Sequence, residues 1–97
     1  MTLRPGARIW IPCEVKPGPF SDERMVRVQS EAGEWLGFVD VSWLENRKLE
    51  AGHTRILGTI ESVESARFSA RLPGHAVRSL LFEGSIERAV PVGPLEA

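Results

Sequence analysis

The chain has a single cysteine, no excess of charge of either sign and no long apolar run, and each shortage excludes a class of protein. With Cys13 alone among 97 residues, no disulfide can form within the chain. No apolar stretch approaches the roughly 20 residues of a transmembrane helix, so the sequence predicts no helical membrane span. Residues 1–6, MTLRPG, lack the apolar core of a secretory signal, and we therefore expect a cytoplasmic protein.

The positive and negative charges nearly cancel. Twelve basic and thirteen acidic residues are interleaved along the chain, which builds no long-range field to steer a nucleic acid or an anionic membrane. Hydrophobic residues make up 42% of the sequence and charged residues 26%, an ordinary balance for a folded globular protein. This length suits one compact domain, so we expect a single domain over residues 1–97 with 93–97 as a tail.

The first strand-like segment is 8–15, RIWIPCEV, which is rich in β-branched and aromatic residues. Pro12 lies inside it, and because proline has no backbone N–H, this position indicates an edge strand or a strand end. The following segment, 16–23, contains two prolines and a glycine and predicts a loop.

The strongest β signal is a hairpin. Residues 25–30 and 35–41 alternate with period two on either side of a polar turn that contains Gly33. Gly37 interrupts the second strand, which indicates a bulge or a close approach of another backbone. In that strand Trp35 and its period-two neighbours share one face, whereas Leu36 and Phe38 lie on the other. Both faces are apolar, so the second face needs a cover from the rest of the chain, a second subunit or a ligand.

The second half repeats this character. A polar segment, 44–53, marks a midpoint boundary and separates two possible sub-units, 1–46 and 52–92. Beyond it, β-type residues resume at 55–63, and a clean alternation over 66–72 is followed by a second expected hairpin turn at Pro73-Gly74. The spacing of the turn glycines is similar in the two halves, which fits either a duplicated β-unit or a chance likeness.

Residues 37–44, GFVDVSWL, resemble the signature of Src-homology-three-like domains, especially the bacterial kind, in which a strand leads into a short helical corner. The resemblance implies an all-β fold, a small Src-homology-three-like barrel. Eukaryotic members bind proline-rich peptides through a Pro and a Tyr in this segment. Asp40 and Trp43 stand at those two positions here, so we do not expect binding of proline-rich peptides to be inherited.

A second resemblance lies in residues 15–22, VKPGPFSD, which are similar to the Gly-Pro-Phe loop of the KOW motif found in ribosomal and transcription-elongation proteins. It implies a small barrel again, and it provides an alternative function as a nucleic-acid or ribosome-associated module. The basic residues that would serve this function are Lys16, Arg24, Arg67 and Arg71. The interleaved glutamates favour a salt-bridged surface over a nucleic-acid surface.

Catalytic and metal-binding signals are weak. Cys13 would need a nearby base such as His53 or His75 to act as a nucleophile, and the three residues lack the paired spacings of zinc ligands. The sequence therefore predicts no enzyme, no metal and no cofactor. Our leading hypothesis is a non-enzymatic adaptor that binds a protein partner or itself through a patch of aromatic and aliphatic residues, Trp35, Leu36, Phe38 and Trp43.

Overall fold

The computed structural model describes residues 3–31, 33–78 and 81–92, with the side chains of residues 77 and 78 excepted. The tail expected at 93–97 lies outside this part of the chain. Eight strands and two 3₁₀ turns follow one another: β1 (Arg8–Pro17), β2 (Glu23–Ser30), β3 (Gly33–Asp40), a turn at Val41–Trp43, β4 (Gly52–Glu64), β5 (Arg67–Arg71), β6 (His75–Arg78), β7 (Phe82–Ser85), a turn at Ile86–Arg88, and β8 (Val90–Pro91).

The strands form one antiparallel sheet in the order β6-β3-β2-β1-β4-β5-β7, and β8 pairs with β1. The sheet curls, which brings its β7 edge to the far end of β2. There the Glu83 N–H donates to the Ser30 hydroxyl at 3.2 Å, and the Arg67 guanidinium pairs with Glu31 at 2.6 Å. The expectation of a small all-β, barrel-like fold is confirmed. No helix in the described ranges is long and apolar enough to cross a bilayer.

Period-two alternation sets the core. Within each long strand, alternate side chains point inward, as the pleat of a strand requires. The inward residues of β2 and β3 share faces as the hairpin pattern predicts, and Trp35, which the sequence assigned to a binding patch, is among them. The buried apolar set is Ile9, Ile11, Cys13, Val15, Val26, Val28, Trp35, Val39, Leu44, Ile56, Ile60, Phe68, Ala70 and Leu72.

Gly37 marks both features that its position in the sequence indicates. The register between β3 and β6 shifts at Leu36/Gly37, which is a bulge. A Cβ atom on Gly37 would lie 2.7 Å from the carbonyl oxygen of His75 and 2.7 Å from Cη2 of Trp35. Only a glycine allows the β6 backbone and the Trp35 ring to approach this closely.

The expected hairpin at Pro73-Gly74 is wrong, although Gly74 does turn the chain with φ of +92°. The strands on either side of it do not pair with each other. β5 pairs with β4 and β7, whereas β6 crosses to β3. The segments 1–46 and 52–92 therefore share a single sheet, since β1 pairs with β4 and β3 with β6.

Pro12 lies in an interior strand, β1, opposite Arg55 of β4. The Ile60 N–H donates to the Ala7 carbonyl at 2.8 Å, so Ala7 faces β4, whereas the Val92 N–H donates to the Arg8 carbonyl at 3.1 Å on the opposite side of β1. Successive residues of a strand bond to opposite sides, so the backbone nitrogen of Pro12 faces away from β4, as the Arg8 carbonyl does. On that other side β8 pairs only with Ile9 and Trp10, and β2 begins pairing at Glu14. At Pro12, the central strand β1 therefore has a neighbouring strand on only one side, that of β4.

Candidate binding groove at the interruption of strand β1

A groove opens where β1 lacks a partner on one side. It forms an open cavity of about 340 Å³ between β1, the end of β2 and the β7 segment. A second cavity of about 330 Å³ adjoins it and shares Pro12, Gln29 and Phe82. The first cavity is lined by Ile9, Trp10, Ile11, Pro12, Gln29, Ser30, Glu31, Phe68, Phe82, Glu83, Gly84, Ser85, Arg88 and Ala89.

The floor and walls of the first cavity are apolar. Ile9, Ile11 and Phe68 are core residues that reach the surface of the groove only at its base. Phe82 is half-buried and packs on Phe68, with 5.9 Å between ring centroids and 33° between the ring planes. Trp10 also lines the cavity, while its ring lies under the Arg55 guanidinium of β4, 5.9 Å from the ring centroid. Aromatic surface that is partly open to solvent in a concave site is the usual setting for an apolar anchor of a ligand.

Charged groups stand at the rim of this cavity. Glu31 is already paired with Arg67. Glu83 and Arg88 also line the cavity, and neither forms an ion pair with another residue that the structure describes. One carboxylate and one guanidinium therefore remain available to polar groups of a ligand.

The second cavity has a polar side built on cross-strand pairs. Arg27 pairs with Glu34 and, at 3.8 Å, with Glu14, and the Gln29 amide donates to the same Glu34 carboxylate at 3.1 Å. The hydrogen bond to Glu34 raises the pKa of the Arg27 guanidinium, so this group stays charged. Both cavities of the groove therefore have charged residues beside apolar surface.

The four residues of the sequence-predicted patch do not lie on one surface. Trp35 is 4% exposed and belongs to the core. Leu36 and Phe38 lie on the opposite, outer face of β3, where they are half-buried opposite Arg27 and Met25 of β2. The fourth, Trp43, lies in the 3₁₀ turn after β3 and is also half-buried. A binding role for this patch stays a prediction.

Asp40 stabilises the 3₁₀ turn that contains Trp43. Its side chain accepts a hydrogen bond from the Ser42 N–H at 2.8 Å and so caps the 3₁₀ turn. This bond lowers the pKa of the Asp40 carboxyl, because it favours the charged form. The residue that replaces the expected proline therefore has a structural role at this corner.

The four basic residues of the alternative nucleic-acid hypothesis are dispersed. Lys16 is exposed at the end of β1. Arg24 is 7% exposed, and its guanidinium donates to the backbone carbonyls of Ser21, Glu23 and Leu49. Arg67 pairs with Glu31 near the far end of β2, and Arg71 pairs with Glu61 at 2.7 Å. Since β2 extends for about 25 Å, Arg24 and Arg67 lie at opposite ends of the sheet.

Cys13 points into the core, and burial raises the pKa of its thiol to about 12, so it is protonated at neutral pH. His53 lies opposite Glu14 on β1, and His75 lies opposite Phe38 on the more distant strand β3. The structure therefore does not bring Cys13, His53 and His75 together. Within the described ranges, no group of three or more His, Cys, Asp or Glu side chains is placed to hold a metal ion.

Most residues of the groove have no signal of their own in the sequence. Pro12 is the exception, because a proline inside a strand-like segment indicates that the ladder is interrupted there. Phe82 and Glu83 reach Pro12 only because the sheet curls, and no local pattern encodes that approach. Comparison with family models, with curated proteins and with solved structures found no match to this chain.

Proposed function

We propose that this chain is a non-catalytic, protein-binding module, and that its groove at Pro12 receives a bulky apolar side chain from an extended segment of the partner. The observation that carries this proposal is the apolar cavity of about 340 Å³ at the interruption of β1. Its base is made by core side chains, and one wall is the half-buried ring of Phe82, which packs on Phe68. A preformed concave site of this kind favours binding without a large rearrangement of the protein.

The arrangement of the two cavities supports an extended ligand. They share Pro12, Gln29 and Phe82, and each combines apolar surface with charged side chains. An extended peptide segment can place successive side chains in adjoining cavities, with its backbone between them. The ligand class that fits is a peptide that carries an aromatic or large aliphatic residue.

The charges also favour a protein over a nucleic acid. The rim of the first cavity carries groups of both signs, and Glu83 would repel phosphates. Of the four basic residues in the alternative hypothesis, three have guanidinium groups that already bind carbonyl or carboxylate oxygens. A nucleic-acid site normally requires several cations that are free to neutralise phosphates.

Selection of peptides tests this proposal. A random heptapeptide library is displayed on phage and selected against the native chain and against Ser85→Trp, which places a large ring at the groove. Ser85 is a suitable position because its side chain makes no capping bond to the 3₁₀ turn. We expect peptides with an aromatic or large aliphatic residue to be enriched on the native chain and lost on Ser85→Trp.

Two further variants locate the site. Leu36→Ser and Phe38→Ser alter the outer face of β3 and leave the groove unchanged, so both are expected to bind the selected peptides. Equal enrichment on the native chain and on Ser85→Trp would contradict the groove. Loss of binding only in the outer-face variants would instead favour the patch around Leu36 and Phe38. Binding of a mixed RNA pool that weakens steeply with salt would favour the nucleic-acid alternative.

A further inference from the structure

We infer that this chain associates with a second copy of itself, with Phe20 of one copy inserted into the apolar groove of the other. This inference rests on the proposed function, because it assigns an occupant to the same groove. The two features that would meet are a protruding aromatic side chain on a rigid loop and a concave apolar cavity elsewhere on the same chain.

Phe20 is the most exposed large hydrophobic residue among those that the structure describes, at 67%. It lies in the loop of residues 18–22 between β1 and β2. A large aromatic side chain held in water gains free energy when a partner removes it from solvent, and aromatic residues are the commonest anchors of protein interfaces.

The loop that carries Phe20 is held firmly. The buried Arg24 guanidinium donates to the carbonyls of Ser21 and Glu23 at 3.0 and 2.9 Å, and its Nε donates to the Leu49 carbonyl at 2.8 Å. The Glu23 N–H also donates to the Phe20 carbonyl at 3.1 Å. These bonds hold the loop backbone and connect it to Leu49, while the Phe20 ring stays exposed to solvent. The exposure of Phe20 is therefore a fixed feature of the fold, and little chain entropy is lost when the ring is bound.

Gly18 makes the loop tighter still. A Cβ atom at this position would lie 2.8 Å from the carbonyl oxygen of Glu23, so the two arms of the loop can approach this closely only at a glycine. The Val41 N–H donates to the Asp22 carbonyl at 2.9 Å and ties the loop to the end of β3. Both contacts oppose any folding back of Phe20 onto its own barrel.

Phe20 can reach this groove only in a different copy of the chain. Phe20 precedes β2, whereas the groove lies at the other end of that strand, around Ser30. Eight strand residues separate the two ends by about 25 Å. The rigid loop cannot cover that distance within one molecule, and a second molecule can.

Size and charge fit this occupant. A cavity of about 340 Å³ is larger than a single aromatic side chain, and the ring of Phe82 offers it an aromatic contact. Asp22 lies two residues after Phe20, and Arg88 stands at the cavity, and neither forms an ion pair within the described part of the chain. Insertion of Phe20 would bring this carboxylate toward this guanidinium.

The contact joins two different surfaces. Such a contact either closes as a pair that exchanges two loops or continues as a chain of molecules. In both cases each copy offers one loop and one groove. A variant that lacks the Phe20 ring can therefore still receive the loop of a second variant whose own groove is blocked.

Complementation is the test. Sedimentation equilibrium of the native chain, up to millimolar concentration, is expected to show an average mass above that of the monomer. Phe20→Ser retains the groove, and Ser85→Trp retains the loop. Each variant alone is expected to associate at least about tenfold more weakly, the loss typical of an interface anchor. An equimolar mixture of the two variants is expected to associate more strongly than either one.

Two controls keep the outcome clear. Leu81→Ser removes another exposed apolar side chain, 42% exposed, and is expected to associate like the native chain. Asp22→Lys and Arg88→Glu form a second complementary pair, which serves if Ser85→Trp does not fold. A monomeric native chain at millimolar concentration, or mixtures no stronger than their components, would overturn the inference. Neither result affects the peptide selection, which tests the groove independently.

Discussion

The buried guanidinium of Arg24 provides the sharpest test of how the loop is held. We consider Arg24→Met, which keeps an apolar stem of similar length and leaves the carbonyls of Ser21, Glu23 and Leu49 without their donor. Hydrogen bonds to charged groups typically contribute about 1.5 to 3 kcal/mol each. Ser21 is exposed and its carbonyl can regain water, and the variant also removes the desolvation penalty of a buried charge. We therefore expect a net loss of about 3 kcal/mol rather than the full sum.

A loss of this size is a large fraction of the stability of a small domain, which is commonly about 5 to 10 kcal/mol. In urea, with a slope of about 1 to 1.5 kcal/mol per molar for a chain of this length, the unfolding midpoint should fall by about 2 to 3 M. The matched control is Arg71→Met, which breaks an exposed ion pair with Glu61 and should change the free energy of unfolding by less than about 0.5 kcal/mol.

Amide hydrogen exchange provides a second, local measurement. In Arg24→Met the amides of Glu23 and Val41, whose bonds to Phe20 and Asp22 close the loop, should exchange faster than the loss of global stability alone predicts. Equal destabilisation by Arg24→Met and Arg71→Met would refute the role of the buried guanidinium. Unchanged exchange of the loop amides would show that the loop is held by other contacts.

Three further predictions follow from single positions. Gly37→Ala places a methyl group against the His75 carbonyl. It should lower the free energy of unfolding in urea by about 2 kcal/mol and shift the amide resonances of β6. Native-like stability would contradict the close approach. Cys13 has a folded pKa of about 12, above its ordinary value of 9.0, so stability should be intact below pH 9 and decline between pH 9 and 12, a decline that Cys13→Ala should lack. Asp40 has a lowered pKa, so its contribution should be present above its ordinary pKa and lost on acidification, and Asp40→Asn should weaken this dependence of the unfolding midpoint on pH.

Period-two patterning accounts for what the sequence could predict. In β2 and β3 the pattern correctly placed Val26 with Val28 on one face and Trp35 with Val39 on one face. It could not show which face of β3 is buried, because Leu36 makes the other face apolar as well. Gly37 was equally informative, since an isolated glycine in a strand has few physical explanations other than a bulge or a close approach. Local signals of this kind depend on a residue's immediate neighbours along the chain.

The remaining features depend on contacts between distant segments. β6 pairs with β3 across about forty residues of sequence, so a turn at Gly74 that is locally typical of a hairpin leads to a different partner. The Arg24 guanidinium is hydrogen-bonded to backbone carbonyls, one of which is 25 residues away. Every residue type has a backbone carbonyl, so the sequence does not indicate which residues accept these bonds. A basic residue in a loop therefore resembles a ligand-binding residue until its partners are known.

Pro12 joins the fold to the proposed function. A proline in a central strand normally breaks the ladder, and here its nitrogen faces the side on which β8 has ended and β2 has not yet begun. If the pairing of β2 with β1 continued for two more residues beyond Glu14, Gln29 would lie opposite Pro12. The Gln29 carbonyl would then have no N–H donor, because proline has none. The wall of the barrel therefore stays open at this point, and the inward side chains of the same strand, Ile9 and Ile11, become the floor of the groove. The opening follows from the missing backbone N–H of Pro12. The groove is therefore part of the folded chain and needs no ligand to form.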